Sequence, residues 1–223
     1  MDDPLSQALQ DIHSPDLNKR RMAAWQLGRL HHSSGLPALL NAAQDPSEGV
    51  RLRVYEALGA YRDDSARSVL INGLQDEDEE AQAMAAQSLV NYPAPDEGLE
   101  SYAEHLQHLL SAESADVRGA VAQVLGAWWV SEAAPHLALC LRDDASAEVR
   151  YAARNALIAL AEASTPALID LLEPSLSVGV LIDLLEVLGQ IGDPHARDAL
   201  MPYSQHEDKD VQALTQWALG RMS

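Results

Sequence analysis

Asp45-Pro46-Ser47-Glu48-Gly49-Val50-Arg51-Leu52-Arg53-Val54-Tyr55-Glu56-Ala57-Leu58-Gly59 is the stretch that decides the fold. It reads as a turn, a capped helix start and an amphipathic run that closes on Leu-Gly, and its parts recur along the chain. The closing leucine returns as Leu27, Leu58, Leu89, Leu125, Leu157, Leu188 and Leu219, at steps of 31, 31, 36, 32, 31 and 31 residues. Eleven residues upstream of these stand Asp16, Ser47, Asp78, Ser114, Ser146, Ser177 and Asp208, all N-cap residues whose side-chain oxygen can accept a bond from an orphaned helix N–H. Eight upstream come Lys19, Val50, Ala81, Val117, Val149, Val180 and Val211, so apolar residues recur at helical spacing toward the leucine. Before each cap runs a second apolar pattern, as in Leu36-Leu39-Leu40, Leu106-Leu109-Leu110 and Leu168-Leu171-Leu172. Each repeat is therefore a helical hairpin. One hairpin cannot bury its apolar face alone, so the pattern predicts seven of them stacked on one another.

The string formed by Asp45, Val50, Arg51, Leu58 and Gly59, repeated in part by Val117-Arg118 and Val149-Arg150, resembles the HEAT motif. The short period is similar to the HEAT subtype of phycobilin lyases and related bacterial proteins. Gln82, Leu181 and Gln212 depart from it at the arginine, and Val90 and Ile158 at the glycine. The resemblance implies an all-α, right-handed α-solenoid, an armadillo-like superhelix whose second helices line a concave side. It also implies that Arg20, Arg51, Arg118 and Arg150, with Asp45, Asp76 and Asp144, tie neighbouring units together. The expectation is one domain over residues 1–223. The 36-residue step places extra chain in Asn91-Tyr92-Pro93-Ala94-Pro95-Asp96-Glu97-Gly98, so a long loop or hinge is expected over 91–101.

Fifteen basic against thirty-four acidic residues leave a formal charge of -19, a field that repels phosphate and disfavours nucleic acid. Salt adaptation or solubility accounts for the same bias. A lone cysteine, Cys140, forms no internal bridge, and a reducing compartment fits. Met1-Asp2-Asp3-Pro4 lacks the basic and apolar regions of a signal peptide, and no apolar run reaches the ~18 residues of a membrane span. The reading is a cytoplasmic, soluble protein, without a membrane anchor, expected as a monomer.

Candidate binding residues follow from the helical faces. Glu56, Glu80, Asp116, Glu148 and Glu186, with Asp183 nearby, fall on the side of the second helices away from the apolar seam. If they line the concave side, they suit a basic segment of a partner protein; a solvated polar face is the bland alternative. Trp25 and Trp217 interrupt the same column in the end units, and Trp128-Trp129 follow the fourth leucine where the helix should end. Trp129 joins the candidate set because exposed tryptophan is enriched at interface hot spots. The helix over Val178–Ile191 is apolar almost all round and must be covered by the seventh unit or by a partner.

No Gly-rich phosphate loop, nucleophile elbow or dinucleotide fingerprint is present. Glu104, His105 and His108 share a helix without an evident third metal ligand, and Asp76 to Glu80 are acids suited to a helix N-terminus. A deoxyhypusine hydroxylase-like site needs several His-Glu pairs, where this chain has His206-Glu207 alone. A HEAT-like alkylpurine glycosylase needs a cationic groove. No cofactor is expected. The leading expectation is a non-catalytic scaffold or adaptor, the runner-up a phycobilin lyase-like enzyme that attaches bilins, and the third a rod that self-associates through its end units.

Overall fold

The computed structural model describes residues 3–96 and 98–222, with the backbone alone at Ser101. All regular structure among them is helical. Seven first helices, α1 (Pro4–Asp11), α3 (Leu36–Ala42), α5 (Asp64–Gly73), α7 (Leu99–Leu109), α9 (Ala134–Asp143), α11 (Thr165–Asp170) and α13 (Arg197–Leu200), alternate with seven second helices. The second helices are α2 (Leu17–Leu30), α4 (Glu48–Leu58), α6 (Glu79–Leu89), α8 (Ala115–Ala127), α10 (Ala147–Leu160), α12 (Val178–Ile191) and α14 (Lys209–Arg221). The chain is thus an α-solenoid of helical hairpins. It divides into two compact units, Met1–Tyr102 and Ala103–Ser223. The boundary falls inside α7, beyond the proline-bearing connection; of the loop or hinge expected over 91–101, Glu97 lies outside the described residues.

Six of the seven expected caps are in place. Asp16, Asp78, Ser114, Ser146, Ser177 and Asp208 each accept a bond from a first-turn N–H of the helix they precede. Ser47 makes no such bond, although its N–H donates to the Asp45 carboxylate at 2.9 Å as those of Asp78 and Ser146 do to Asp76 and Asp144. The first helices are shorter than the second, and α3, α9 and α11 each follow a 3-10 entry turn and carry a proline, Pro37, Pro135 and Pro166, in the first turn, where its missing N–H costs nothing.

In each unit the second helices pack side by side: α2 on α4 on α6 in one, α8 on α10 on α12 on α14 in the other. The anchor leucines Leu27, Leu58, Leu89, Leu125, Leu157 and Leu188 are fully buried. The glycine after the anchor sets how closely these helices approach. A Cβ at Gly28 would lie 2.7 Å from Ala57 Cβ, and one at Gly126 would lie 2.7 Å from Ala156 Cα. Ile158 stands at this position in α10, and α10 meets α12 over a smaller surface than α8 meets α10. The apolar α12 is covered within its own unit: Leu181, Leu184, Leu185, Val187 and Leu188 are buried, α14 lies against it, and Val178 stays exposed at its first turn.

Candidate functional site

A ladder of arginines and aspartates stitches the turns, and it accounts for most of the arginines of the motif. Arg20 places its Nε–Nη2 edge on Asp45 at 2.6 and 3.0 Å, Arg51 on Asp76 at 2.8 and 2.7 Å, and Arg118 on Asp144 at 2.7 and 2.8 Å. The remaining nitrogen, Nη1, donates to backbone carbonyls of the arginine's own turn: Ser14 and Pro15, Asp45, and Ala112 and Glu113 respectively. Every guanidinium therefore holds two turns at once, in the fork geometry that makes arginine irreplaceable by lysine. Burial, the largest influence on Asp76, pushes its carboxyl up, but bonds from Arg51, the Asp78 N–H and the Tyr55 hydroxyl outweigh it and leave the group below the usual range. Asp144 is held low chiefly by Arg118. Desolvation and the bond to Asp76 push the Tyr55 phenol far above its ordinary value. A cleft of about 560 Å³ opens over the Arg51–Asp76 seam, but these groups already satisfy one another.

Tyrosines form a second stitch. The Tyr61 hydroxyl donates to the carbonyl of Leu27 at 3.1 Å, and the Tyr92 hydroxyl donates to that of Leu58 at 2.6 Å. Each ties its helix end to the anchor of the preceding hairpin. Their 31-residue separation was the readable signal.

In the first unit, Glu56 and Glu80 are exposed on α4 and α6. Glu56 accepts a 2.6 Å bond from Arg53 one turn earlier, so its charge is offset within its own helix. The Arg29 guanidinium lies 5.0 Å from the Trp25 ring centre, and both line a small cleft of about 180 Å³ with Arg53 and Glu56. This face carries mixed charge.

The second unit differs. Asp116 on α8 and Glu148 on α10 are exposed, and Asp210 on α14 joins them. Asp183 and Glu186, one turn apart on α12, are half-buried. Glu186 pairs with Arg154 of α10, a contact that bridges the two helices where their packing is thin. Glu148 accepts a 2.8 Å bond from the Ser146 hydroxyl, which lowers its pKa. Tyr151, 67% exposed, stands one turn after Glu148 and one turn before the exposed Asn155. Its position one turn from Glu148 on the same helix is the signal in the sequence that marks it. Trp129 is 68% exposed while Trp128 is buried. Trp129 occupies the turn after α8 rather than a helix face, about 20 Å along the axis from Asp116. The structure thus keeps Asp116, Glu148, Asp183 and Glu186 on one layer of helices and sets Trp129 apart at the end of that layer.

Among the described residues no group of three or more His, Cys, Asp or Glu side chains is arranged to hold a metal, and no helix is long and apolar enough to cross a membrane. The Cys140 thiol is pushed up to about 11, chiefly by burial, so at neutral pH it is a protonated, weak nucleophile. The exposed surface carries carboxylates, the Tyr151 phenol on α10 and the indoles of Trp25, Trp129 and Trp217.

The model of HEAT repeats matches residues 3–90 and 67–158, and that of the PBS lyase HEAT-like repeat matches residues 180–206. No curated protein matches by sequence. Among solved structures, the complex of CpcE and CpcF of phycocyanin lyase from Nostoc sp. PCC7120 is similar, at 23% identity and a TM-score of 0.62 over 100% of this chain and 96% of that one. A designed armadillo repeat protein in complex with the peptide (KR)4 gives 21% and 0.61, covering 98% and 99% of the two chains. Importin beta gives 16% and 0.73 over 96% of this chain and 35% of its own. With the motif, the stacked hairpins and the family models in agreement, the chain belongs to the family of HEAT-repeat proteins.

Proposed function

We propose that the chain is a non-catalytic, protein-binding scaffold that holds a basic segment of a partner on the second-helix face of residues 103–223. The observation that carries the reading is the line Glu148–Tyr151–Asn155 on α10, exposed along one face, with Asp116 exposed on α8, Asp210 exposed on α14 and Asp183 half-buried on α12 between α10 and α14. Carboxylates supply attraction for cationic side chains, and an exposed phenol supplies a flat, low-entropy contact. The overall charge of -19 adds long-range steering. The likeness to a designed armadillo repeat protein bound to (KR)4 supports the choice of a basic ligand. Glu56 and Glu186 contribute less, since each already faces an arginine of this chain. Trp129 would engage only a partner long enough to reach the end of α8. The scaffold is proposed to act as a cytoplasmic monomer, which sedimentation at rising concentration checks.

The test is binding of a labelled (Lys-Arg)4 peptide by fluorescence anisotropy at low and physiological salt. Glu148→Lys with Asp183→Lys and Asp210→Lys should weaken binding at least about tenfold with helicity unchanged, and added salt should weaken binding to the unaltered protein. Equal affinity in the triple variant removes the reading.

The PBS lyase HEAT-like match over residues 180–206, with the likeness to the CpcE and CpcF complex, favours one second reading, a lyase-like protein that delivers a bilin to a phycobiliprotein subunit. It predicts a shifted bilin absorbance band on mixing with free phycocyanobilin; an unshifted band counts against it.

A further inference from the structure

The ladder contains one arginine without its aspartate. Along the sequence the two residues come and go together: Arg20 with Asp45, Arg51 with Asp76, Arg118 with Asp144. Where the arginine is replaced, by Gln82 or Leu181, the corresponding turn position holds Ala112 or His206. Arg150 is the exception, because the matching position two residues before the Ser177 cap is Ser175.

The three complete rungs define what that position does. One carboxylate oxygen accepts from Nη2 of the arginine and also from the backbone N–H two residues on, that of Ser47, Asp78 or Ser146, at 2.9, 3.0 and 2.9 Å. The other oxygen accepts from Nε. Arg150 is clamped as its siblings are: its Nη1 donates to the carbonyls of Asp144 and Ala145 at 2.7 and 3.2 Å, the same offsets that Arg118 uses with Ala112 and Glu113. Among the described residues its Nε–Nη2 edge meets no carboxylate within ion-pair distance, and the Ser177 N–H has no acceptor. Ser175 turns its hydroxyl to Glu173 instead. The side chain of Arg150 is half-buried, and Glu148 and Tyr151 of the exposed α10 face flank it in sequence.

We propose that the Arg150 edge and the Ser177 N–H form a carboxylate-binding subsite, filled by an Asp or Glu side chain of a partner polypeptide that takes the place Asp45, Asp76 and Asp144 hold in the other rungs. Fork-to-fork pairing of guanidinium and carboxylate adds direction to charge, so the subsite fixes the register of a bound segment. The subsite is independent of the basic-segment reading, since it concerns the opposite charge and different donors.

The experiment follows the Arg150 Nε–Hε and Ser177 N–H resonances by NMR during titration with sodium acetate, the smallest mimic of the side chain, against sodium chloride at equal ionic strength. The expected result is a saturable shift of both signals with acetate, reproduced by a blocked Gly-Asp-Gly peptide and lost in Arg150→Lys, which keeps the charge and loses the fork. Ser175→Asp supplies the missing carboxylate in cis; it should abolish the acetate response and raise Tm by about 2–4 °C. Equal responses to acetate and chloride overturn the proposal, as does an acetate response that survives Ser175→Asp. A Ser175→Asp protein with unchanged or lowered Tm shows that the edge is not poised for a carboxylate, and also overturns it. A response to inorganic phosphate with none to acetate assigns the subsite to a phosphoryl group and rejects the carboxylate.

Discussion

Four residues beyond the anchor leucines the backbone turns left-handed: His31, Arg62, Trp129, Ala161 and Gly192 all have positive φ, and one of the five is glycine. Ala161, at φ 51° and ψ -130°, lies in a region that a Cβ opposes. Ala161→Gly should stabilise the protein by about 1 kcal/mol, read as a higher urea midpoint with unchanged slope. The ladder makes a prediction with a pH signature. The carboxyls of Asp45, Asp76 and Asp144 titrate below their ordinary value of about 4, so their contribution is complete above that pH and drains away as pH falls through the lowered values. Asp76→Asn should cost about 2 kcal/mol at pH 7, and its difference from the parent should shrink below pH 4 as the parent's own carboxylate protonates. A pH-independent gap in urea titrations contradicts that account. At this scale the sequence was partly legible. The cap residues announced themselves by type and offset, and six of the seven cap their helices, while the Ser47 side chain makes no cap bond.

Among the helices, approach distance is the controlled quantity. Gly126 lets α8 and α10 come so close that a single added carbon meets the Ala156 backbone, and Gly28 and Gly59 serve α2 and α4 in the same way toward Ala57 and Ser88. Gly126→Val should therefore destabilise by about 2–3 kcal/mol through overpacking, as measured by chemical denaturation. A loss well under 1 kcal/mol would mean that the helices slide apart without resistance. The candidate site was legible as a column of polar residues, because i, i+3 and i+7 share a helix face whatever the neighbours do. Which members are available was not legible. Arg53 one turn from Glu56, and Arg154 on the helix beside Glu186, withdraw two of the expected carboxylates, and the second pairing joins residues far apart in sequence. Tyr151, by contrast, is left uncovered by its surroundings.

At the scale of the molecule, the connection at residues 91–98 and the turns within each unit make opposite demands on the chain. Loop entropy grows slowly with length, so four Gly-Ser residues inserted after the exposed Asp96 should cost less than about 1 kcal/mol. The same insertion between Ala145 and Ser146 breaks the bond from the Ser146 N–H to Asp144 and moves that carboxylate away from Arg118. It should lower Tm by several degrees, a contrast that calorimetry of the two variants checks.

The sequence by itself determined the repeat, the hairpin, the caps and the burial of the leucines, because each is set by residue type at a fixed offset inside about 31 residues. The tertiary structure alone decided how tightly each pair of second helices stacks and which carboxylates face solvent or an arginine of a neighbouring hairpin. The reason is physical: these properties belong to contacts between hairpins, where one side chain satisfies or displaces another, and no periodicity within a hairpin encodes which of them will meet.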